Sequence, residues 1–194
     1  MKNRKRNRMK GFDYSSNNIY FVTICVQNMV CCLGEIIISE GANGDERVGR
    51  NQGAGNDLPI LNDGLPNIKT QKMVLNRFGL VVDEQLRWLE NQYKYVILHN
   101  FVVMPNHVHA IIEIDSLKIK YIAAENAEEN VIKIKSLSSL IGAFKTTSSK
   151  KIHELGFLNF SWKRSFHDSI ISNKRSYTNR YNYIDNNPQQ WVIK

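Results

Sequence analysis

The chain has 194 residues, which is enough for one domain with a substantial core but short for two. Its 26 lysines and arginines outnumber 18 aspartates and glutamates, and this excess predicts a polyanionic partner, most often nucleic acid. The three cysteines, Cys25, Cys31 and Cys32, contain no CxxC pair, which argues against a zinc knuckle. No apolar run follows the basic N-terminus, so we expect a cytoplasmic protein without a membrane span.

The first half of the chain predicts two strands, an irregular insert and a helix. Ile19 to Val26 is rich in β-branched and aromatic residues, and Leu33 to Ile38 predicts a shorter strand or hairpin arm. Ser39 to Gln71 holds six of the 11 glycines and has no apolar periodicity, so we expect a long flexible insert within one domain spanning residues 1–194. Apolar residues at three- and four-residue spacing then predict an amphipathic helix from Phe78 to Gln92.

The second half of the chain predicts three further strands and two helices. Tyr95 to Val103 and His107 to Ile114 are apolar strands joined by a short connection that contains a proline. Ser136 is the expected N-cap of the next helix. Phe166 to Ile171 predicts the last strand, and Asn173 to Asn187 predicts a terminal helix. This βαββαβ order predicts an α+β fold of the ferredoxin-like kind, an antiparallel sheet with helices on one face and an added C-terminal helix.

Basic residues are concentrated in one part of the chain. Between Lys133 and Arg180 there are ten lysines and arginines but only two acidic residues. We expect this stretch to supply a surface that binds nucleic-acid phosphates. The candidate contacts are Lys145, Lys150, Lys151, Lys163, Arg164, Lys174, Arg175 and Arg180.

Two histidines lie two residues apart on a predicted strand. Side chains at i and i+2 of a strand point to the same face, so His107 and His109 project together while Val108 faces the other way. Two imidazoles on one face at this spacing can chelate a divalent ion. Taken alone, however, such a pair more often belongs to the polar face of a strand.

The residues around these histidines resemble a known motif. Met104-Pro105-Asn106-His107-Val108-His109 resembles the HUH motif, two histidines around a bulky hydrophobic residue, of single-tyrosine transposases of the insertion-sequence and REP-associated families. Four further segments resemble the family's first strand, second helix and C-terminal signature in the right order: Tyr20 to Cys25, Leu140 to Lys145, Trp162 to Asp168, and Tyr183 to Pro188. The resemblance covers most of the chain outside the insert.

The resemblance implies an enzyme that cleaves and rejoins single-stranded or hairpin DNA through a 5′-phosphotyrosine intermediate. It places the nucleophile at Tyr183 and a third metal-facing group at Asn187, beside His107 and His109. A tyrosine phenol has a pKa of ~10 and is a poor nucleophile at neutral pH, so the reaction needs a divalent ion on the scissile phosphate. Two imidazoles and an amide oxygen suit Mg²⁺ or Mn²⁺.

Helix geometry separates the three tyrosines of the last predicted helix. At ~100° per residue, Tyr177, Tyr181 and Ile184 fall within one narrow stripe, which we expect to be the buried face. Tyr183 lies away from that stripe, and Asn187 follows it by about one turn. The first two tyrosines are therefore expected to pack, and Tyr183 to be free for chemistry.

Two other functions remain open at this level. The same fold and basic surface would serve a DNA-binding module that does not cleave, and Ser169 and Ser172 stand where the family commonly has His and Arg, as in a domesticated copy. A metal-dependent phosphoesterase would use His107 and His109 to activate water, with Glu113 as the carboxylate on the same strand face. We expect either a monomer or a homodimer.

Overall fold

The computed structural model describes residues 11–40, 69–118 and 133–192, and all structural statements below concern these residues. The strands and helices are, in chain order, β1 (Asn18–Cys25), β2 (Gly34–Glu40), β3 (Lys69–Leu75), α1 (Arg77–Gln92), β4 (Val96–Met104), β5 (His107–Ile114), α2 (Leu137–Glu154), β6 (His167–Ile171) and α3 (Lys174–Asp185). Short 3-10 segments, Gln27–Met29 and Pro188–Gln190, follow β1 and α3.

Four of the strands form one antiparallel sheet in the order β4-β5-β1-β6. One of the two inner strands, β1, pairs with β5 on one side, where Cys25 lies opposite His107 and Thr23 opposite His109. On its other side β1 pairs with β6, where Thr23 lies opposite His167. The predicted α+β fold with an antiparallel sheet is confirmed.

The two faces of this sheet are covered by different helices. The larger core lies on the face that packs against α1 and α2, and it includes Tyr20, Val22 and Ile24 of β1, Val108, Ala110 and Ile112 of β5, Leu86 of α1, and Phe144 of α2. The opposite face holds a smaller cluster of Phe21, Ile111 and Ile171, which packs against Ile184 of α3. Because side chains alternate along a strand, the odd-numbered residues of β1 and β5 face α3, and His107 and His109 are among them.

Polar side chains define where the helices begin. The carbonyl oxygen of the Asn76 side chain accepts hydrogen bonds from the backbone of Phe78 and Gly79, and Asn173 caps α3 through the backbone N–H of Ser176. Ser136 caps α2, as the sequence predicts. Within the described ranges no helix is both long enough and apolar enough to cross a membrane.

The hairpin of β2 and β3 corrects both ends of the predicted insert. The sequence predicts irregular structure throughout Ser39 to Gln71, but Ser39 pairs with Thr70 in a regular antiparallel ladder. The segment Lys69 to Gln71 is polar and lacks apolar alternation, so its strand conformation depends on backbone hydrogen bonds to β2 rather than on its own pattern. Residues 41–68 of the predicted insert lie outside the described residues.

The contact of α1 with the chain entering β2 requires a glycine at position 79. A Cβ there would lie 2.0 Å from the backbone oxygen of Leu33. We expect Gly79→Ala to lower the free energy of unfolding by about 1–3 kcal/mol, measured by denaturant titration. Gly142→Ala in α2 is the control, because its Cβ would meet nothing within 4 Å, and it should be neutral or stabilising. Equal effects of the two substitutions would contradict this account.

Candidate active site

The two histidines lie at the start of β5 with their rings side by side. The Nε2 atoms of His107 and His109 are 3.0 Å apart. The Asn106 amide donates from Nδ2 to the carbonyl of Met29, so its Oδ1 accepts from Nδ1 of His107 at 2.7 Å. With its proton on Nδ1, His107 keeps a free lone pair on Nε2, directed toward His109.

The neighbouring strand orients the second histidine. Oγ1 of Thr23 lies 2.9 Å from Nδ1 of His109, its register partner across β1 and β5. A hydroxyl can donate or accept, so Thr23 supports the ring in either tautomer and keeps Nε2 directed toward His107. Phe21 stacks on the same ring, with centroids 5.3 Å apart. These contacts hold both imidazoles in place before any ligand binds.

Both histidines are neutral at neutral pH. Burial lowers the pKa of His107 to about 4. The pKa of His109 falls to about 3, because of burial first and then the nearby His107 and the positive charge of Arg180. Metal coordination requires the unprotonated imidazole, so this environment keeps both side chains in the state that binds a metal ion.

The donor set fits a small octahedral divalent ion. Two ligand atoms at ~2.1 Å from the ion and at right angles to each other lie ~3.0 Å apart, and the two Nε2 atoms are 3.0 Å apart. Asn106 and Thr23 supply the outer hydrogen bonds that metal-binding histidines make through their other nitrogen. Among residues 11–40, 69–118 and 133–192, no three His, Cys, Asp or Glu side chains lie together, so a third protein ligand there would be another residue type.

Asn187 lies in the segment from Tyr183 to Trp191, whose two ends contact the histidines. It is buried, and it stands between the end of α3 and the Pro188–Gln190 segment. Tyr183 before it and Trp191 after it both contact the pair, and the Trp191 ring stacks on His107 with centroids 5.9 Å apart. Its assignment as the third ligand stays a prediction.

Tyr183 is the tyrosine of α3 that reaches the histidines. Its hydroxyl lies 3.4 Å from Nε2 of His109, and its ring meets the edges of His109 and Phe21 at 5.1 and 5.9 Å. The residue remains 37% exposed, so a substrate can approach Tyr183 from solvent. The hydroxyl of Tyr177 instead contacts Nδ1 of His99 at 3.1 Å, and Tyr181 packs beside Tyr177.

The carboxylate required by the phosphoesterase alternative is engaged elsewhere. Glu113 shares the α3 face with the histidines, but its Oε2 lies 2.6 Å from Nε2 of His99. It stands four residues beyond His109 on β5, or about 13 Å at the rise of a strand. Glu113 therefore lies on the same face of β5 as the histidines, as the sequence predicts, but too far along the strand to share a metal ion with them.

The predicted DNA contacts divide between two depressions. Arg175 and Arg180 line one of about 500 Å³ on α3, together with Tyr183, and Lys174 begins the same helix. Lys150, Lys163 and Arg164 line another of about 580 Å³ at the C-terminal half of α2. The first of these depressions opens beside the candidate nucleophile.

Two of the predicted phosphate contacts are held by other groups. The ammonium of Lys145 donates to the backbone carbonyls of Lys163 at 2.8 Å, Arg164 at 3.3 Å and Ser165 at 3.4 Å, so all three of its N–H groups have acceptors. Lys151 pairs with Glu84 at 2.9 Å on the surface. Lys145 thus holds the loop that carries two other candidate contacts.

Sequence reasoning missed the residues that support the histidines. The register of β1 against β5 brings Thr23 and Phe21 to the histidines, and the path of the chain after α3 brings Trp191 there. Neither the register nor the path is visible in a local sequence pattern. Asn106 could have been predicted, since it directly precedes His107 and an amide oxygen at that position can accept a hydrogen bond from the imidazole N–H.

Comparisons with known proteins give the following similarities. No model of a protein family matches the chain. An uncharacterized protein of Haemophilus influenzae is 28% identical over 193 residues, which cover 97% of this chain and 89% of that protein. A REP-associated tyrosine transposase bound to a REP hairpin is similar at a TM-score of 0.49 and 16% identity, over 99% of this chain and 76% of the other. A putative transposase of Deinococcus radiodurans is similar at a TM-score of 0.43 and 12% identity, over 92% and 95%.

Proposed function

We propose that the protein is a metal-dependent transposase that cleaves and rejoins single-stranded or hairpin DNA, with Tyr183 as the nucleophile. The observation that carries the proposal is the 3.4 Å approach of the Tyr183 hydroxyl to Nε2 of His109, which itself lies 3.0 Å from Nε2 of His107. A nucleophile and two metal-binding nitrogens thus meet at one point on the surface. The order of these residues along the chain is also the order of the motifs in single-tyrosine transposases.

The chain's own residues perform the transfer at that point. The Tyr183 oxygen attacks the phosphorus, a bond forms between them, and the bond from phosphorus to the 3′ oxygen breaks. The phenolic proton leaves to solvent, and the 3′ oxygen takes up a proton to become a free hydroxyl. Bound by His107, His109 and the amide oxygen of Asn187, Mg²⁺ or Mn²⁺ would neutralise charge on the scissile phosphate.

The product of this step supports rejoining as well as cleavage. One phosphoester bond is exchanged for another, so a 3′ hydroxyl can attack the phosphotyrosine and restore a DNA strand without ATP. The exposed position of Tyr183 suits this reversal, because both the departing and the incoming strand need access to the same phosphorus. Phe21 contacts both the Tyr183 ring and the His109 ring, and so supports the two side chains from one side chain of β1.

The proposal is tested with a pool of labelled DNA hairpins that carry randomised single-stranded flanks. Incubation with Mn²⁺ should give a covalent protein–DNA adduct on a denaturing gel, and chelation of the metal should prevent it. A label at the 3′ end should travel with the protein, and a label at the 5′ end should appear in a shorter free strand. Binding without cleavage would establish the non-cleaving module, and cleavage without an adduct would establish activated water.

A further inference from the structure

A positively charged side chain lies beside the nucleophile and has no part in the chemistry described so far. Arg180 precedes Tyr183 by about one turn of α3, and its guanidinium carbon lies 4.6 Å from the centre of the Phe21 ring. The same ring stacks on His109 at 5.3 Å and meets the edge of Tyr183 at 5.9 Å. The guanidinium, the imidazole and the phenol therefore surround one aromatic ring.

The charge of Arg180 has no anionic partner within the described part of the chain. The ion pairs of that part include Arg87 with Asp83, His99 with Glu113, and Lys151 with Glu84, and none of these three involves Arg180. Arg180 and His109 both contact the Phe21 ring, so this positive charge lies close to the proposed metal ligands. The guanidinium of Arg180 and a metal ion held by the histidines would repel each other. A phosphate bound between them would be attracted to both, and this attraction offsets the repulsion.

The surface around Arg180 has room for that anion. Arg180 and Tyr183 line the depression of about 500 Å³ on α3 together with Arg175. At 1.5 Å per residue, Arg180 lies ~4.5 Å from Tyr183 along the helix axis and Arg175 lies ~12 Å away. Arg180 is thus the arginine of this depression that lies nearer to Tyr183 along the helix, on the side of the proposed attack. The fork of a guanidinium matches two oxygens of a phosphate.

We propose that Arg180 is a catalytic residue that binds a nonbridging oxygen of the scissile phosphate while Tyr183 attacks it. This inference rests on the proposed function and adds to it a source of charge stabilisation that belongs to the protein itself. It separates Arg180 from the other basic residues of the predicted DNA surface, whose contacts would position the strand without taking part in the reaction.

The contact with phosphate is tested by binding alone, in a Tyr183→Phe background that keeps the DNA uncut. Each phosphate of the single-stranded flank is replaced in turn by a neutral methylphosphonate, and affinity is measured with and without Arg180→Ala. We expect one position at which the methylphosphonate weakens binding about tenfold, as for a charged hydrogen bond, but has no added effect in Arg180→Ala. Equal effects of every methylphosphonate on both proteins would overturn the proposal.

The part played in the reaction is tested by the rate of adduct formation at saturating DNA. Arg180→Ala should slow this rate about 100-fold, and millimolar guanidinium should partly restore it. Arg77→Ala is the matched control, because Arg77 lies over the Phe78 ring at 4.8 Å, away from the histidines. It should leave the rate unchanged, and melting temperatures of both variants report any loss of packing. A loss confined to DNA affinity, with a normal rate, would make Arg180 an ordinary phosphate contact.

Failure of the two proposals can be told apart. If the wild-type protein binds the hairpins but forms no adduct, the proposed function fails, and Arg180 is then not catalytic. The methylphosphonate measurements still show in that case whether Arg180 binds a phosphate. If the wild-type protein forms an adduct and Arg180→Ala forms it at the same rate, the proposed function stands and the inference about Arg180 is wrong.

Discussion

Tyr183→Phe is expected to abolish cleavage and adduct formation while folding and DNA binding stay close to wild type. The substitution removes one oxygen and keeps the ring, so the contacts with His109 and Phe21 remain. Phenylalanine and tyrosine have similar helix propensities, and the buried His109 keeps its 3.0 Å contact with His107 when the hydroxyl is removed. Loss of the nucleophile should reduce the rate by on the order of 10⁴-fold or more, measured as adduct on a denaturing gel.

The two other tyrosines of α3 provide controls for this prediction. Tyr181→Phe should keep cleavage, because the ring of Tyr181 packs beside Tyr177 on the face toward the sheet. Tyr177→Phe should also cleave, although loss of the contact with His99 should cost about 1 kcal/mol of stability. Cleavage by Tyr183→Phe together with inactivity of Tyr181→Phe would move the nucleophile to Tyr181. Cleavage by all three variants would point to activated water.

His107→Ala and His109→Ala should each abolish cleavage and largely spare DNA binding. Either change removes one of the two Nε2 atoms that lie 3.0 Å apart, whereas phosphate contacts in DNA complexes come mainly from lysine and arginine. Weakened binding of Mn²⁺ to the free protein, measured by electron paramagnetic resonance, would connect the lost activity to the metal site.

Val108→Ala is the control for stability in this series. Val108 lies between the two histidines in the chain but is fully buried in the opposite core, so its truncation should destabilise the fold by about 1–3 kcal/mol and leave Mn²⁺ binding intact. If the histidine variants lost DNA binding and cleavage equally, with a fall in melting temperature, His107 and His109 would be structural core residues instead.

Local patterns in the sequence determined much of the fold and part of the candidate site. Alternation along a strand is a property of consecutive residues, so the common face of His107 and His109 follows from their spacing alone. Helical periodicity likewise predicts that Tyr177 and Tyr181 pack while Tyr183 stays partly exposed, as the structure has it. The N-cap at Ser136 depends only on its own turn.

Contacts between distant segments were decided by the tertiary structure alone. Glu113 shares a strand face with the histidines, yet the register of β4 against β5 brings it to His99 instead. The hairpin partner of β2 was missed because Lys69 to Gln71 becomes a strand only through bonds to a segment about thirty residues earlier. Arg180 meets Phe21 because α3 folds back over β1. Side-chain periodicity within one helix or strand predicts which face of that element a residue lies on. The residue that it contacts there depends on strand register and on packing between elements, and no local pattern contains that information.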